Sequence, residues 1–297
     1  MTYIIENANI LREQKITKAS LLIDNGSILS IKHDFKRYKY IKMNAEPFIM
    51  APTSILFKKD FPLDKSFQDM KKFYIEEFIL KGCTTFLTMA AVKHEYELID
   101  AIKRLKIQLL NSPIDYIIGV RIPVRLLTQS FLRKCKKEKI PAIFVDVYQM
   151  DELYDLPWGW LREAMFPYNS PLIPIFMNAN KQIANEWNRL MKEEKLPFVQ
   201  EELTEDQPIP HAILSKIGIY PFKATIYQGC ELSYNFYLQS REIRKIEESQ
   251  LFHYHRDKLV ITVQNGDVIR SGSDVVFRPG YGKHVKIKTP SFFKIDV

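Results

Sequence analysis

Two Asn-Gly dipeptides, Asn25-Gly26 and Asn265-Gly266, stand near opposite ends of a 297-residue chain, each between strand-like segments. Residues 19–24 and 27–31 flank the first, and 259–263 and 267–269 flank the second. Asn-Gly supplies the two positive-φ residues of a type I′ turn, whose twist matches that of a β-hairpin. Both chain ends are therefore β-rich. The sequence predicts that they come together as one composite β-sandwich, residues 1–50 with 220–297.

Between them, strands and helices alternate. Apolar runs at 84–89, 115–120, 142–147 and 172–176 read as strands. Leu98, Ile102, Leu105 and Leu109 fall on one face of a helix over 95–109, and further helices are expected near 126–137 and over 180–194. Such alternation implies a parallel sheet, open or closed into a barrel. From Pro52 to Ile217 there are 166 residues. A full (β/α)₈ barrel takes about 250 and rarely fewer than about 200. At roughly 30 residues per unit, five or six units fit. The fold class is therefore α/β, with a reduced or incomplete TIM-like parallel β/α barrel over 51–219 beside the sandwich. Open strand edges need cover. The acidic, Pro-bearing loop 200–210 is the candidate within the chain, and self-association into a homo-oligomer is the other means.

Composition is that of an ordinary globular protein, 46% hydrophobic and 26% charged. The net charge of +8 raises the question of an acidic partner. The lysines read as scattered, with no basic block interleaved with aromatics, so no nucleic-acid partner is expected. Cys83, Cys135 and Cys230 are odd in number and far apart, which points to reduced thiols and a cytoplasmic location. No basic-then-apolar leader opens the chain, and no apolar run approaches the ~20 residues of a membrane helix, so neither export nor a membrane is expected.

Four segments carry a family resemblance. Ile49-Met50-Ala51-Pro52-Thr53-Ser54-Ile55-Leu56 leads to Lys58 and Asp60. Lys81-Gly82-Cys83-Thr84-Thr85-Phe86-Leu87-Thr88-Met89 is similar to Gly-Gly-Val-Thr-Thr-x-x-Asp-Met, and Ser112-Pro113-Ile114-Asp115-Tyr116 to Ser-x-Val-Asp-Tyr. Gly218-Ile219-Tyr220-Pro221-Phe222-Lys223-Ala224-Thr225-Ile226 is similar to Gly-Leu-Tyr-Pro-x-Lys-Gly-x-Ile. Together, and in order, they resemble the amidohydrolase superfamily, in particular its dihydropyrimidinase, hydantoinase and dihydroorotase branch.

The resemblance implies a metal-dependent hydrolase, and the same residues depart from it where the metal is held. The family's first barrel strand ends in Pro-Gly-x-Ile-Asp-x-His-x-His; here Thr53 replaces the Gly, Leu56 the Asp, and Lys58 and Asp60 the two histidines. Thr88 stands where the family has Asp. The strand matching the family's carbamylated lysine offers Asp146 and no lysine, and 172–177 has no histidine. A lysine ammonium repels a divalent cation. The expected site is thus a relic pocket of Lys58, Asp60, Thr88 and Asp146 at the strand ends, with no metal and no cofactor.

Other groups have plainer readings. His253-Tyr254-His255 could offer two imidazoles to zinc if it lay on a strand, yet it ends a helical stretch from Arg241 and lacks further ligands nearby; surface or packing histidines are the simpler account. Cys83 reads as a buried apolar residue. Tyr154, Trp158, Trp160 and Phe166 could line a cleft or subunit contact, with core packing favoured. The leading functional expectation is a degenerate amidohydrolase-like pseudoenzyme, a non-catalytic binding or scaffold protein for a protein partner or small ligand. Two alternatives stand: a hydrolase of C–N bonds in cyclic amides with unorthodox ligands, and a binder of an anionic metabolite through Lys58.

Overall fold

A computed structural model describes residues 1–12, 15–62, 64–178, 181–240 and 248–290. The chain forms two compact units. One holds Met1–Leu56, Pro62–Phe86 and Pro221–Tyr281; the other holds Phe57–Phe61, Leu87–Tyr220 and the chain from Gly282.

In the first unit the N-terminal strands are β1 (Thr2–Arg12), β2 (Lys15–Asp24), β3 (Ser27–Lys32), β4 (Ile41–Asn44) and β5 (Phe48–Pro52). A bulge between Ile5 and Ala8 lets β1 pair with two short strands in turn. Tyr3–Glu6 runs parallel to β4, and Asn9 and Ile10 run parallel to β5. Asn7, inside the bulge, has φ +56°, a conformation asparagine tolerates better than most residues.

The β/α segment follows in the chain, its first part counted with the first unit as far as Phe86 apart from Phe57–Phe61, and the rest with the second. In chain order its elements begin with β6 (Ser54–Phe57), α1 (Phe67–Glu77), β7 (Cys83–Ala91), α2 (Leu98–Gln108), β8 (Asp115–Pro123), α3 (Gln129–Lys137) and β9 (Ile143–Val147). They continue with α4 (Asp151–Tyr154), α5 (Trp158–Met165), β10 (Leu172–Phe176), α6 (Lys181–Glu193) and α7 (His211–Ile217). Local chemistry sets several boundaries. Ser66 and Thr128 cap α1 and α3 by accepting from the N–H groups of Asp69 and Phe131, and Gly218 ends α7 with φ +90°. The helices bury apolar stripes at helical spacing, such as Ile183, Trp187, Leu190 and Met191 on α6.

The β/α strands make a curled parallel half-barrel sheet in the order β10-β9-β8-β7-β6. Among the described residues it has five strands, in line with the chain length. Its packing is tight at Gly119, where a β-carbon would lie 2.9 Å from both the Ala142 carbonyl oxygen and the Phe144 ring. That ring stacks on Phe57, with centroids 5.1 Å apart. Gly282 begins a tail that pairs with the start of β8: Tyr116 donates to the Lys283 carbonyl at 3.0 Å and Val285 donates to that of Tyr116 at 2.8 Å.

The chain returns to the first unit through β11 (Tyr234–Leu238), α8 (Glu248–Tyr254), β12 (Leu259–Gln264), β13 (Asp267–Ser271) and β14 (Asp274–Val275). Both chain ends share one nine-stranded sheet, β14-β13-β12-β11-β5-β1-β2-β3, with β4 on the side of β1. The far strand β3 comes back to the segment before β11, since Ile28 donates to the Cys230 carbonyl at 3.1 Å and Leu232 to that of Gly26 at 2.7 Å. A core of Ile5, Ile10, Leu21, Ile23, Met50, Phe236 and Val263, among others, lies within this sheet. In the return segment the buried Lys223 pairs with Glu231 at 2.5 Å. Ala224, where the motif has Gly, takes φ +57°.

Candidate functional site

Of the four residues expected to form a relic pocket, Lys58, Asp60 and Asp146 stand at or near the carboxyl ends of the parallel strands, where sites of such folds are built, and Thr88 lies within a strand. Lys58 follows β6, and its N–H donates to the Leu87 carbonyl at 2.9 Å. Thr88 lies on β7, fully buried at 1% exposure. Asp146 is the penultimate residue of β9, and Asp60 is exposed on the loop after Lys58. These four side chains are not joined to one another by any hydrogen bond or ion pair among the described residues. Lys58 and Asp146 find their partners elsewhere.

Asp146 accepts from the Arg121 Nε at 2.7 Å, across from β8 to β9, with the two side chains 14% and 22% exposed. The Lys58 Nζ lies 3.2 Å from an Asp206 carboxylate oxygen. Asp206 belongs to the acidic loop, and that loop is the main finding of the site. Residues 197–199 run beside β10: Leu172 donates to the Pro197 carbonyl at 2.9 Å and Val199 donates back to Leu172 at 2.9 Å. The chain then follows the strand ends. The Glu202 carboxylate accepts from the Phe176 N–H at the end of β10, and the Glu205 carboxylate accepts from the Lys59 N–H beyond β6 at 2.6 Å. One segment, 197–206, thus fastens both edge strands of the half-barrel. We refer to it as the strap.

The strap also lines a cavity of about 1040 Å³, together with Arg162, Phe166, Ile213, Ser215 and Lys216. The buried Ser215 hydroxyl has no hydrogen-bond partner among the described residues, while the Lys216 Nζ donates to the Phe198 carbonyl at 2.9 Å. Burial lowers the Lys216 pKa.

The remaining candidates fall as follows. His253 lies in the last turn of α8 and is exposed, and His255 lies just past the helix. Two positions apart on a helix differ by about 200° in direction, so the geometry that a strand would give them is absent. The part of that helical stretch at 241–247 lies outside the described residues. Among the described residues, no group of three or more His, Cys, Asp and Glu side chains is placed to hold a metal ion. Cys83 is fully buried. Of the aromatic group, only Trp158 enters the core, its indole N–H donating to the Leu153 carbonyl at 3.0 Å; Tyr154, Trp160 and Phe166 are 48%, 64% and 68% exposed, against the expectation of core packing. Among the described residues, no helix is long and apolar enough to cross a membrane.

Sequence reasoning missed Arg121 and the strap's carboxylates. Arg121 had a signal, a cation between Val120 and Ile122 in an otherwise apolar strand. Glu202, Glu205 and Asp206 had only the acidity of their loop.

The curled parallel half-barrel and the separate sheet drawn from both chain ends make a mixed α/β fold consistent with an amidohydrolase-like one. The solved structures it resembles include a dihydropyrimidinase and hydantoinases. Dihydropyrimidinase from Brevibacillus agri aligns with a TM-score of 0.63 and 12% identity, covering 97% of this chain and 99% of that one. The L-hydantoinase from Arthrobacter aurescens gives 0.62 and 12%, covering 96% and 100%, and the D-hydantoinase from a Thermus species gives 0.62 and 10%, covering 98% and 100%. At these identities the likeness is one of fold. No family model and no curated protein sequence matches the chain.

Proposed function

We propose that this amidohydrolase-like protein has lost metal-dependent hydrolysis and acts as a non-catalytic binding or scaffold protein. The observation that carries the reading is the pairing of charge at the strand ends. A divalent cation needs the lone pairs of carboxylates or imidazoles. Here a guanidinium lies on Asp146 and an ammonium on Asp206, and the Glu202 and Glu205 carboxylates cap backbone N–H groups. This donor set does not fit a metal. The alternative in which Lys58 receives an anionic metabolite meets competition from Asp206 for the same ammonium.

The cavity beside the strap supports the binding reading. Its volume, about 1040 Å³, is at the upper end of the roughly 300–1,000 Å³ usual for small-molecule sites, and its walls mix apolar side chains such as Phe166, Leu203 and Ile213 with polar and charged ones such as Arg162, Glu201 and Lys216. The test is elemental analysis of protein purified without chelator, with assays of hydantoin and dihydrouracil ring opening in added zinc or manganese. The expected result is no stoichiometric metal and no metal-dependent turnover. Stoichiometric zinc, or ring opening that follows added metal, would overturn the proposal.

A further inference from the structure

Between β3 and β4 the chain reads His33-Asp34-Phe35-Lys36-Arg37-Tyr38-Lys39-Tyr40, and Ile41 and Lys42 open β4. Phe35 is buried with Ile4 and Leu22. From this anchor the aromatic side chains step outward. The Tyr38 N–H donates to the Phe35 carbonyl at 3.0 Å, and its ring meets the Phe35 ring edge-on with centroids 5.4 Å apart. Tyr40 stacks on Tyr38 at 6.1 Å with 29° between the planes. The two rings are 41% and 44% exposed. They form a platform held from the core.

Cations surround it. Lys32, Lys36, Arg37, Lys39 and Lys42 are all exposed, against one carboxylate in the same stretch, Asp34. Five positive charges less one negative make +4, half of the chain's net +8, within residues 32–42. Lys36 lies 3.7 Å from Asp34, and Lys42 is 2.7 Å from Glu6. Arg37 and Lys39 have no carboxylate partner among the described residues. The reading of the lysines as scattered fails for this one stretch, where aromatic and basic residues alternate.

We propose that residues 36–42 form a binding surface for single-stranded nucleic acid. Bases stack on Tyr38 and Tyr40, and Lys36, Arg37 and Lys39 meet the phosphates. A duplex hides the faces of its bases from such a platform. An acidic peptide would use the cations and leave the stacked rings idle.

Fluorescence anisotropy with labelled oligo(dT) and a duplex of the same length tests this. The expected result is saturable binding of the single strand, weaker binding of the duplex, and a roughly four- to sevenfold loss of affinity on doubling the salt, as three or four phosphate contacts require. Tyr38→Ala and Tyr40→Ala should each weaken binding at least about fivefold, with Tyr38→Phe within about twofold. Lys39→Glu should weaken it, while the exposed helical control Lys192→Glu should not. Photocrosslinking of the unaltered protein to an iodouracil oligonucleotide should map to Tyr38 or Tyr40, a readout independent of any variant's folding. The proposal is overturned by no binding at low salt, by equal binding of duplex, by crosslinks mapping elsewhere, by Tyr→Ala variants that fold and bind unchanged, or by capture on phosphatidylserine vesicles without oligonucleotide binding.

Discussion

The carbonyl oxygen of Asn265 lies 2.7 Å from the point a β-carbon would take on Gly26. The two Asn-Gly turns are thus packed backbone to backbone, although they belong to opposite ends of the chain. Both glycines take positive φ, +75° at Gly26 and +87° at Gly266.

Gly26→Ala should therefore cost more than its backbone conformation alone explains. A left-handed alanine costs about 1–2 kcal/mol, and the clash with Asn265 adds about 1–3 kcal/mol. Gly229 has φ +87° and nothing within 4 Å of its β-carbon position, so Gly229→Ala should show the first cost only. Urea unfolding of the two variants side by side measures the difference.

Ala224 offers the opposite case. It holds φ +57° where the return motif has glycine. Ala224→Gly should relieve that strain, and after the greater unfolded-state entropy of glycine a net gain of about 0.5–1 kcal/mol remains. Thermal unfolding should show a higher midpoint; a lower one would mean that the alanine methyl earns its place by packing.

The Arg121–Asp146 pair should be cheap to replace and costly to break. Asp146→Ala leaves a largely buried guanidinium without its carboxylate, with an expected loss of about 2–4 kcal/mol. The double variant Arg121→Met with Asp146→Ala should recover much of that loss. A double-mutant cycle by chemical denaturation reads both terms.

His284 gives the protein an acid-side weakness. Burial, with help from Lys106 and Lys286, lowers its pKa from the ordinary 6.5 to about 4. Between those values the unfolded chain binds a proton that the folded protein does not. This contribution to stability is therefore full above pH 6.5 and is lost progressively as the pH falls toward 4. His284→Gln should flatten that part of the denaturation profile between pH 7 and 4.5.

The parts of the fold legible in sequence are those dictated by neighbours along the chain. Asn25-Gly26 and Asn265-Gly266 announced hairpins because few other pairs accept two positive φ values in succession. The runs at 142–147 and 172–176 announced strands by apolar content, and the residue count bounded their number. Contacts between distant segments were not legible. Nothing in Pro197-Phe198-Val199 distinguishes a segment that pairs with Leu172, because its bonds are made by backbone. The same is true of Lys283 and Val285, which pair with Tyr116 through main-chain groups. At the site, Lys58 and Asp146 could be placed by motif, but their partners Asp206 and Arg121 depend on how strand ends and loop converge in space.

The strap has a consequence for how the half-barrel opens. The amides of Lys59, Phe176 and Val199 sit on different stretches of chain, yet each is held by a bond that the strap makes. Detaching that segment exposes all three at once. Their hydrogen exchange should follow one opening event, with a common free energy and a common response to denaturant. In a full ring of strands a seam of this kind would not exist; here the sheet unzips along it, and β6 and β10 share a fate although more than a hundred residues separate them.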